Sequence, residues 1–573
     1  MIDVRSLDDA VVARLAARLR VRNATARCMV ARGHDGDTAE GFLDPRLSRL
    51  RRPEGDAAMA GFAAAADRVM RAVLRRERIA VFGDYDVDGV TTCALLTSFL
   101  RGCGAEVIAR VARRDEGYGF GEVPCAELIA GSPGLIITGD CGTSDVESIA
   151  CARAAGIDVI VVDHHTVPER GGHPAFALVN PYRGDSAFPF RGMASVGIAF
   201  YLAAAVKTRL AAQGHFATRR APDPRELLDL VALGTVADLV PLTHENRILA
   251  AAGLRVAHER RRPGLAALLA VAGVLPEQVV DEKVLSWKLS PRLNAPGRLG
   301  DAAPSLELLL ATAEQAAACA DALEQANVTR RAHQDVATAE AFAAVGDSPD
   351  AAIVVASDRW LPGVVGIVAA KLVDRFARPA FVIAIDAATG LGRGSARSAG
   401  GVDLYRSLAA CASMLEKFGG HAAAAGLTVR AAEIDRLRAA LGVAVLAAGS
   451  GPVVDRAADA EVALGEVDEA LVAELATLGP FGQDNPEPRL VARDLRVTSS
   501  RRVGDGSHLK LELTELRGAG VTRTAIGFGL GERDPGVGAR VDVAFRPTAS
   551  SWQGKTRVEL ELRDLKTRVP ATG

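Results

Sequence analysis

Three aspartates fall within five residues of this sequence, in the run GDYDVDG that carries Asp84, Asp86 and Asp88. Carboxylates so close repel one another and raise each other's pKa unless a cation compensates. Taken alone, such a run is equally an exposed acidic turn or a calcium-type loop. Further along come Gly139-Asp140-Cys141-Gly142, then Asp163-His164-His165, and Asp238 closes the apolar stretch LLDLVALGTVAD. Aspartate and histidine without thiolate suit a hard to borderline divalent ion, Mn²⁺ or Mg²⁺, over zinc. There are carboxylates enough to bridge two such ions. That arrangement holds a phosphodiester, activates water for in-line attack and neutralises charge developing on the phosphoryl oxygens. The chemistry indicated is phosphoester hydrolysis.

These groups need elements to carry them to one place. Short apolar runs at Ile79–Phe82, Val107–Val111, Leu135–Thr138, Val159–Val162 and Phe176–Val179 read as buried parallel strands of an α/β sheet. The aspartate run follows the first strand, Asp140 the third and the Asp-His-His triplet the fourth, so all reach the carboxyl edge where open parallel sheets collect ligands. From Pro304 to Val345, Leu306, Leu310, Ala313, Ala317, Ala320 and Leu323 recur at helical spacing, which predicts one long connecting helix. A second α/β pattern follows, with strands at Ile353–Ala356 and Phe381–Ile385, a helix at Gly366–Phe376 and a linker near Ala448–Gly451. The remaining residues hold about five strand-like runs, suited to a small OB-like barrel or to a sandwich. The expected division is a helical segment at 1–60 capping the sheet, a catalytic domain at 61–303, the helix at 304–345, a second α/β domain at 346–449 and a β-barrel domain at 450–573.

Composition sets bounds. The 573 residues are 49% hydrophobic and 24% charged, as in a folded globular protein of about three domains. A net charge of −2 advertises no polyanion partner, so any nucleic-acid surface must be a local patch. Eight cysteines form no CxxC pair, and no charged-then-apolar leader opens the chain, which points to a reduced, cytoplasmic setting. The longest apolar stretch, around Leu265 to Leu275, stops at Pro276, too short to span a bilayer.

With Asp86-Val87-Asp88-Gly89, Asp140, Asp163-His164-His165 and Asp238 in this order, the chain resembles the DHH phosphoesterase superfamily. The resemblance implies that Asp84, Asp86, Asp88, Asp140, His164 and Asp238 ligate two Mn²⁺ or Mg²⁺ ions, with Asp140 bridging. It implies catalytic roles for His165, Asp140 and Asp163, His165 at the scissile phosphate. Many members carry a histidine a few positions before the first carboxylates, where Ala80 or Phe82 stands here, so Asp84 is the expected substitute.

Past the metal motifs, SPRLNAPGRLGDA reads as a loop whose Arg292, Asn294 and Arg298 suit phosphate oxygens. WLPGVVGIVAAKL, GRGSARS and GGHAAAAG resemble the DHH-associated domain, placing Arg393, Ser395, Arg397, Gly419, Gly420 and His421 at the substrate; Leu361 stands where that family holds histidine. LGPFGQDNPEP and the strands after it resemble the C-terminal module of the RecJ exonucleases. Arg501, Arg502, His508, Lys510 and Lys555 form a basic set near Trp552 there, with Arg502, Lys510 and Trp552 chosen as DNA contacts. The implied activity is 5′ to 3′ hydrolysis of single-stranded DNA to 5′-mononucleotides, in repair and recombination, by a monomer whose protein partner is a helicase or single-strand-binding protein. A DHH phosphodiesterase of short oligonucleotides or cyclic dinucleotides is the enzymatic alternative, and a metal-free DNA-binding scaffold the non-enzymatic one.

Overall fold

The computed structural model describes residues 2–168, 172–347, 349–448, 457–516, 520–552 and 555–568; the side chains of 550–552 and 555–556 lie outside that description. The chain forms two compact units, one of residues 52–238 and 253–454, the other of residues 1–51, 239–252 and 455–573.

The first unit opens on a sheet of β1 (Ile79–Gly83), β2 (Val107–Val111), β3 (Leu135–Gly139), β4 (Asp158–Val162) and β5 (Ala177–Val179). The strands are all parallel, in the order β2-β1-β3-β4-β5. Both faces of β1 and β3 are fully buried, which is why their sequences are unbroken apolar runs. Register continues past the strands. The amide of Asp84 donates to the Gly139 carbonyl, that of Asp140 to Val162 and that of Asp163 to Val179. Three acidic residues therefore sit on adjoining strands, each one residue beyond the ladder.

Glycines let helices close on this edge. A Cβ on Gly83 would stand 2.3 Å from the Gly89 carbonyl oxygen in the helix Val87–Gly102, and one on Gly139 2.3 Å from the Thr92 methyl. The helix Ser195–Ala212 is long and apolar enough to cross a membrane by length and composition, against the sequence expectation, but 61% of it is buried inside the fold. It packs on Val87–Gly102 and Leu228–Ala237, as a core helix does.

Two sequence expectations are corrected here. The segment SPRLNAPGRLGDA is no loop: Ser290–Leu299 is helical, continuing a π-helical turn at Val284–Leu289. Pro291 follows that π-helical turn within one continuous helix, as Pro296 does further along. The connecting helix is also broken. Ala303–Leu310 ends, Ala311 and Thr312 are extended, and Thr312 with Gln315 forms a capping box that starts Ala313–Val345. That second helix buries Ala316, Ala320 and Leu323 near one end and Ala337 and Ala341 near the other, with polar Asn327, Arg330 and Gln334 between. It packs on Ser290–Leu299 and on the helix Val365–Phe376, and so joins the catalytic part to a second sheet.

That sheet runs β6 (Ile353–Ser357), β7 (Ala380–Asp386), β8 (Leu391–Arg397), β10 (Ala424–Arg430) and β9 (Leu415–Gly420), parallel only between β6 and β7. Of the linker expected near Ala448–Gly451, Ala448 ends the helix Ile434–Ala448 and residues 449–451 lie outside the described residues.

In the other unit, β12 (Leu490–Val503), β13 (His508–Glu515), β14 (Thr522–Gly527), β15 (Arg540–Trp552) and β16 (Lys555–Thr567) pair in the order β12-β13-β14-β16-β15, and β12–β15 pairing closes a five-stranded barrel. Closure decides for the OB-like barrel over the sandwich. A short β11 (Ala460–Glu461) adds to β12. Of the segment expected to cap the catalytic sheet, residues 52–60 belong to the first unit and residues 1–51 to this one. Their helices share the barrel's core through Val12, Leu15, Met29 and Phe42, and Arg22 pairs with Asp468 at 2.8 Å. Residues 239–252 join this unit too, so the expected catalytic domain is interrupted there.

Gly83→Ala is expected to destabilise the protein by about 2 kcal/mol or more, because the new methyl meets backbone and no rotamer relieves it. Gly426→Ala, whose Cβ would meet only the Gly394 oxygen at 3.9 Å, is expected to stay within about 0.5 kcal/mol. Urea unfolding of the two variants beside the parent checks the contrast.

Candidate metal centre

Asp84, Asp140 and Asp163 come from the strand ends, Asp86 caps the helix Val87–Gly102 through the Gly89 amide, Asp88 lies in that helix's first turn, and Asp238 follows the helix Leu228–Ala237. Asp140 has a left-handed φ of 63°, a conformation that aspartate tolerates and that strained functional positions often adopt. Ligand atoms gather in three groups, each within 4.8 Å: Asp84, Asp86 and Asp140; Asp140, His164 and His165; and Asp88, His164 and Asp238. Asp140 and His164 each belong to two of them. His164 Nε2 lies 3.2 Å from Asp140 Oδ1 and 3.4 Å from Asp238 Oδ2.

The surroundings strengthen the repulsion. Burial, then the neighbouring carboxylates, pushes Asp88 up to about 7 and Asp238 up to about 9, and raises Asp84 and Asp140 well above the ordinary carboxylate range. Burial, then the charge of His165, holds His164 down to about 4, so its imidazole is neutral and free to ligate. Asp84 Oδ1, His164 Nε2 and Asp238 Oδ2 are buried without a hydrogen bond. Orphaned donor atoms of this kind, all oxygen or imidazole nitrogen, fit a divalent ion. Phe82 and Ala80, where the family pattern holds histidine, are fully buried in the core, and Asp84 belongs to one of the three donor groups.

Asp163 plays a different part. Its Oδ1 accepts from the amides of His164 and His165 and lies 2.7 Å from His165 Nδ1, while Oδ2 accepts from the Thr143 amide. Burial would raise this carboxyl, but the His165 hydrogen bond and charge hold it below the usual range. Burial would likewise lower His165, and Asp163 outweighs it, raising the imidazole to about 9. With its oxygens used in this way, Asp163, expected as a catalytic residue, holds His165 and lies outside the ligand groups found among the described residues.

Two further residues join the site without having been picked from the sequence. Tyr118 sets its hydroxyl 3.0 Å from His165 Nε2, and Ser195 Oγ donates to Asp140 Oδ1 at 3.0 Å. Tyr118 stands between Gly117 and Gly119, both at positive φ, and that glycine bracket was the available signal.

Beside the carboxylates lies a positive counterpart. Arg114 stacks 4.3 Å over Tyr85 and donates to the Gly297 carbonyl, and Arg298 donates to Gly363 at 2.9 Å. Burial first, then Arg114, Arg330 and Arg397, lowers Arg298 to about 10, so these four cations feel one another. None has a carboxylate ion-pair partner among the described residues. A Cβ on Gly366, at the start of the helix Val365–Phe376, would lie 3.4 Å from both Arg397 and Ser395, which puts backbone amides next to them.

The other expected contacts divide. Arg292 is committed to Glu324 and to the Lys288 carbonyl, and is not brought to the site. Asn294 is half-buried on the same helix. Arg393 and Ser395 alternate with Arg397 on β8, beside Gly426 and Gly419, where an added Cβ would meet almost nothing. Gly420, at φ 124°, turns the chain into exposed His421. Leu361 packs against the apolar core of the second sheet. The Trp552 and Lys555 side chains lie outside the described residues.

Three family models match the chain: the DHH family N-terminal domain over residues 78–235, the DHHA1 domain over 350–445 and the RecJ OB domain over 458–564. A single-stranded-DNA-specific exonuclease RecJ of Dickeya dadantii is 35% identical over 92% of this chain and 92% of its own length. That of Bacillus subtilis is 34% identical over 98% of this chain and 70% of its own. The crystal structure of RecJ in complex with Mn²⁺ from Thermus thermophilus superposes with a TM-score of 0.83 at 27% identity, covering 99% of this chain and 79% of that one.

A carboxyl whose folded pKa lies above its unfolded value near 3.8 contributes stability that is complete below that value and is lost as pH rises through the folded one. For Asp88 and Asp238 the loss spans the interval from about 4 to about 9. The metal-free protein is therefore expected to melt at lower temperature at about pH 9 than at about pH 6, and Mn²⁺ to raise its Tm more at the higher pH. Scanning fluorimetry across pH, with and without Mn²⁺, checks this; a Tm that ignores both would contradict the metal-centre assignment.

Proposed function

The chain belongs to the RecJ family of single-stranded-DNA-specific exonucleases, and from that premise we propose that it hydrolyses single-stranded DNA from the 5′ end, releasing 5′-mononucleotides. The observation that carries this reading is the cluster of carboxylate and imidazole donors with orphaned atoms beside four arginines that have no carboxylate ion-pair partner among the described residues.

Mn²⁺ or Mg²⁺, when bound, supplies an acidified water and charge neutralisation at phosphorus. Asp84, Asp86, Asp88, Asp140, His164 and Asp238 would hold the ions, and Asp140 and His164 each belong to two of the ligand groups. Ser195 fixes one Asp140 oxygen by its hydroxyl, which sets the rotation of that carboxylate. Asp163 turns His165 so that Nε2 faces outward, where it hydrogen-bonds the Tyr118 hydroxyl and can reach a scissile phosphate oxygen. Arg298 and Arg397, with Arg114, Arg330 and Ser395, receive a terminal phosphate; forked guanidinium donors suit its oxygens, and burial lowers Arg298, Arg330 and Arg397, whose charge an anion would stabilise. That terminal phosphate supports attack from the 5′ end. Arg393, Gly419, Gly420 and His421 line the open face of the second sheet along which the strand passes.

Retention of the barrel favours long DNA over the dinucleotide substrates of smaller DHH phosphodiesterases. The full donor set disfavours a metal-free scaffold. By this reading the enzyme serves DNA repair and recombination in the cytoplasm, as a monomer beside a helicase or single-strand-binding protein.

Single-stranded DNA labelled at either end, incubated with Mn²⁺, Mg²⁺ or EDTA, tests the activity. Early release of labelled mononucleotide from the 5′ end is expected, abolished by EDTA and reduced at least about 1,000-fold by Asp140→Ala. Arg298→Ala is expected to raise KM about tenfold or more for a 5′-phosphorylated strand and less for a 5′-hydroxyl strand. Turnover confined to dinucleotides would move the assignment to the phosphodiesterases; equal effects of Arg298→Ala on both ends would remove the terminal-phosphate role.

A further inference from the structure

Two helices leave the carboxylate-bearing edge of the first sheet together. The segment that holds Tyr118 runs into the helix Glu122–Ala130, and the one that holds Asp140 and Thr143 runs into the helix Val146–Ala154. Asp145 joins the two segments, its Oδ2 accepting from the Phe120 amide at 2.7 Å while its own amide donates to the Gly142 carbonyl. Further out, the helices each bury one face in a shared apolar cluster. Cys125 and Leu128 come from the first and Ile149 and Ala152 from the second, each pair at the three-residue spacing of a helix face.

Cysteine stands on both sides of this seam. Cys125 Sγ donates to the Ser148 carbonyl at 3.1 Å, and Cys151 lies three residues beyond Ser148, one turn along the same helix. The two thiols are within hydrogen-bonding reach of each other, and both line a cavity of about 630 Å³ with Glu122, Ser144, Asp145 and Glu147. Cys151 is exposed; of the other seven cysteines, six are buried and Cys319 is half-buried. An oxidant arriving from solvent therefore meets Cys151 first, with a second thiol already beside it.

We propose that Cys125 and Cys151 are a modification site, a thiol pair that a peroxide closes into a disulfide between the two helices. The Cys151 thiolate attacks a peroxide oxygen, the O–O bond breaks and water leaves; sulfur gives up two electrons and becomes a sulfenic acid. The Cys125 sulfur then attacks the Cys151 sulfur, the S–O bond breaks, and hydroxide leaves with the Cys125 proton as a second water. Burial pushes the Cys125 thiol up to about 11, which leaves little thiolate at neutral pH, and the standing contact compensates by replacing a collision. Once formed, the bond fastens the segment of Tyr118 to that of Asp140 where they already lie. The thiol pair rests on the geometry of the catalytic unit alone; only its bearing on DNA cleavage rests on the exonuclease reading.

The test treats the full chain with hydrogen peroxide, divalent ions chelated, then blocks free thiols and maps the digest by mass. The peptides holding Cys125 and Cys151 are expected to be joined, short of two hydrogens, and to separate again in dithiothreitol. The linked chain is expected to melt about 3 °C or more above the reduced one, because the cross-link restricts the unfolded chain. Cys151→Ser, at an exposed position, is expected to keep the parental Tm when reduced and to lose both link and shift, while Cys319→Ser keeps both. A Cys151 that stops at the sulfenic or sulfinic acid with Cys125 still free, a link to another cysteine instead, or a link without a Tm shift would overturn the proposal. With Mn²⁺ restored, linked and reduced chains are expected to cut single-stranded DNA at equal rates. A chain that links but cuts no DNA would overturn the exonuclease reading alone, and one that cuts DNA without linking would overturn the thiol pair alone.

Discussion

Mutual repulsion of carboxylates in a water-poor place is the condition that the catalytic unit is built around. Asp84, Asp88 and Asp140 are almost wholly buried, Asp86 and Asp238 lie beside them, and no arginine or lysine forms an ion pair with any of the five among the described residues. A protein uses such an arrangement when a cation completes it. Much of the surrounding structure keeps the groups from escaping: glycines let a helix press onto the strand ends, Asp140 accepts a left-handed backbone, and the Ser195 and Val196 amides hold Asp88 at 2.7 and 3.0 Å.

The arginines answer that constraint with its mirror image. Arg298, Arg330 and Arg397 are partly or deeply buried, and burial lowers each of them, outweighing the charge of Asp335 on Arg330. Arg330 sits in the polar middle of the helix Ala313–Val345, held by Asn327 and Gln334, while the apolar ends of that helix pack on the two parts it joins. One unit thus holds an excess of negative charge and an excess of positive charge without letting them neutralise each other. An ion-bound phosphodiester satisfies both.

What the sequence made legible follows from what is local. Buried parallel strands are continuous apolar runs, and their terminal aspartates come directly after them, so the sheet and its ligand edge could be read in order. Segment 290–299 reads as a loop because proline and glycine suggest one, yet Pro291 and Pro296 both lie inside a helix. The break at Thr312 was written in its Thr-x-x-Gln pattern but hidden within a strong helical periodicity. Arg292 looked like Arg298 in sequence; only packing showed that Glu324, on another helix, already holds it. The N-terminal helices could not be assigned to the barrel because their partners, such as Asp468 for Arg22, lie 446 residues away. Ser195 reaches the site only through its position in the folded chain, which no spacing along the sequence reveals, while Tyr118 carries only the weak signal of its bracketing glycines.

The ladder bonds from the Asp84, Asp140 and Asp163 amides to neighbouring strands give the sheet the role of a ruler. Adjacent strands lie about 4.8 Å apart whatever side chains they carry, close to the separation of about 3.5–4 Å between ions in two-metal sites. The pitch of the centre is then written in backbone hydrogen bonds, and side-chain rotation has only the small remainder to correct. Sequence drift in the core beneath the sheet leaves that pitch alone, whereas a single inserted residue near the end of β1, β3 or β4 shifts an entire ligand out of step.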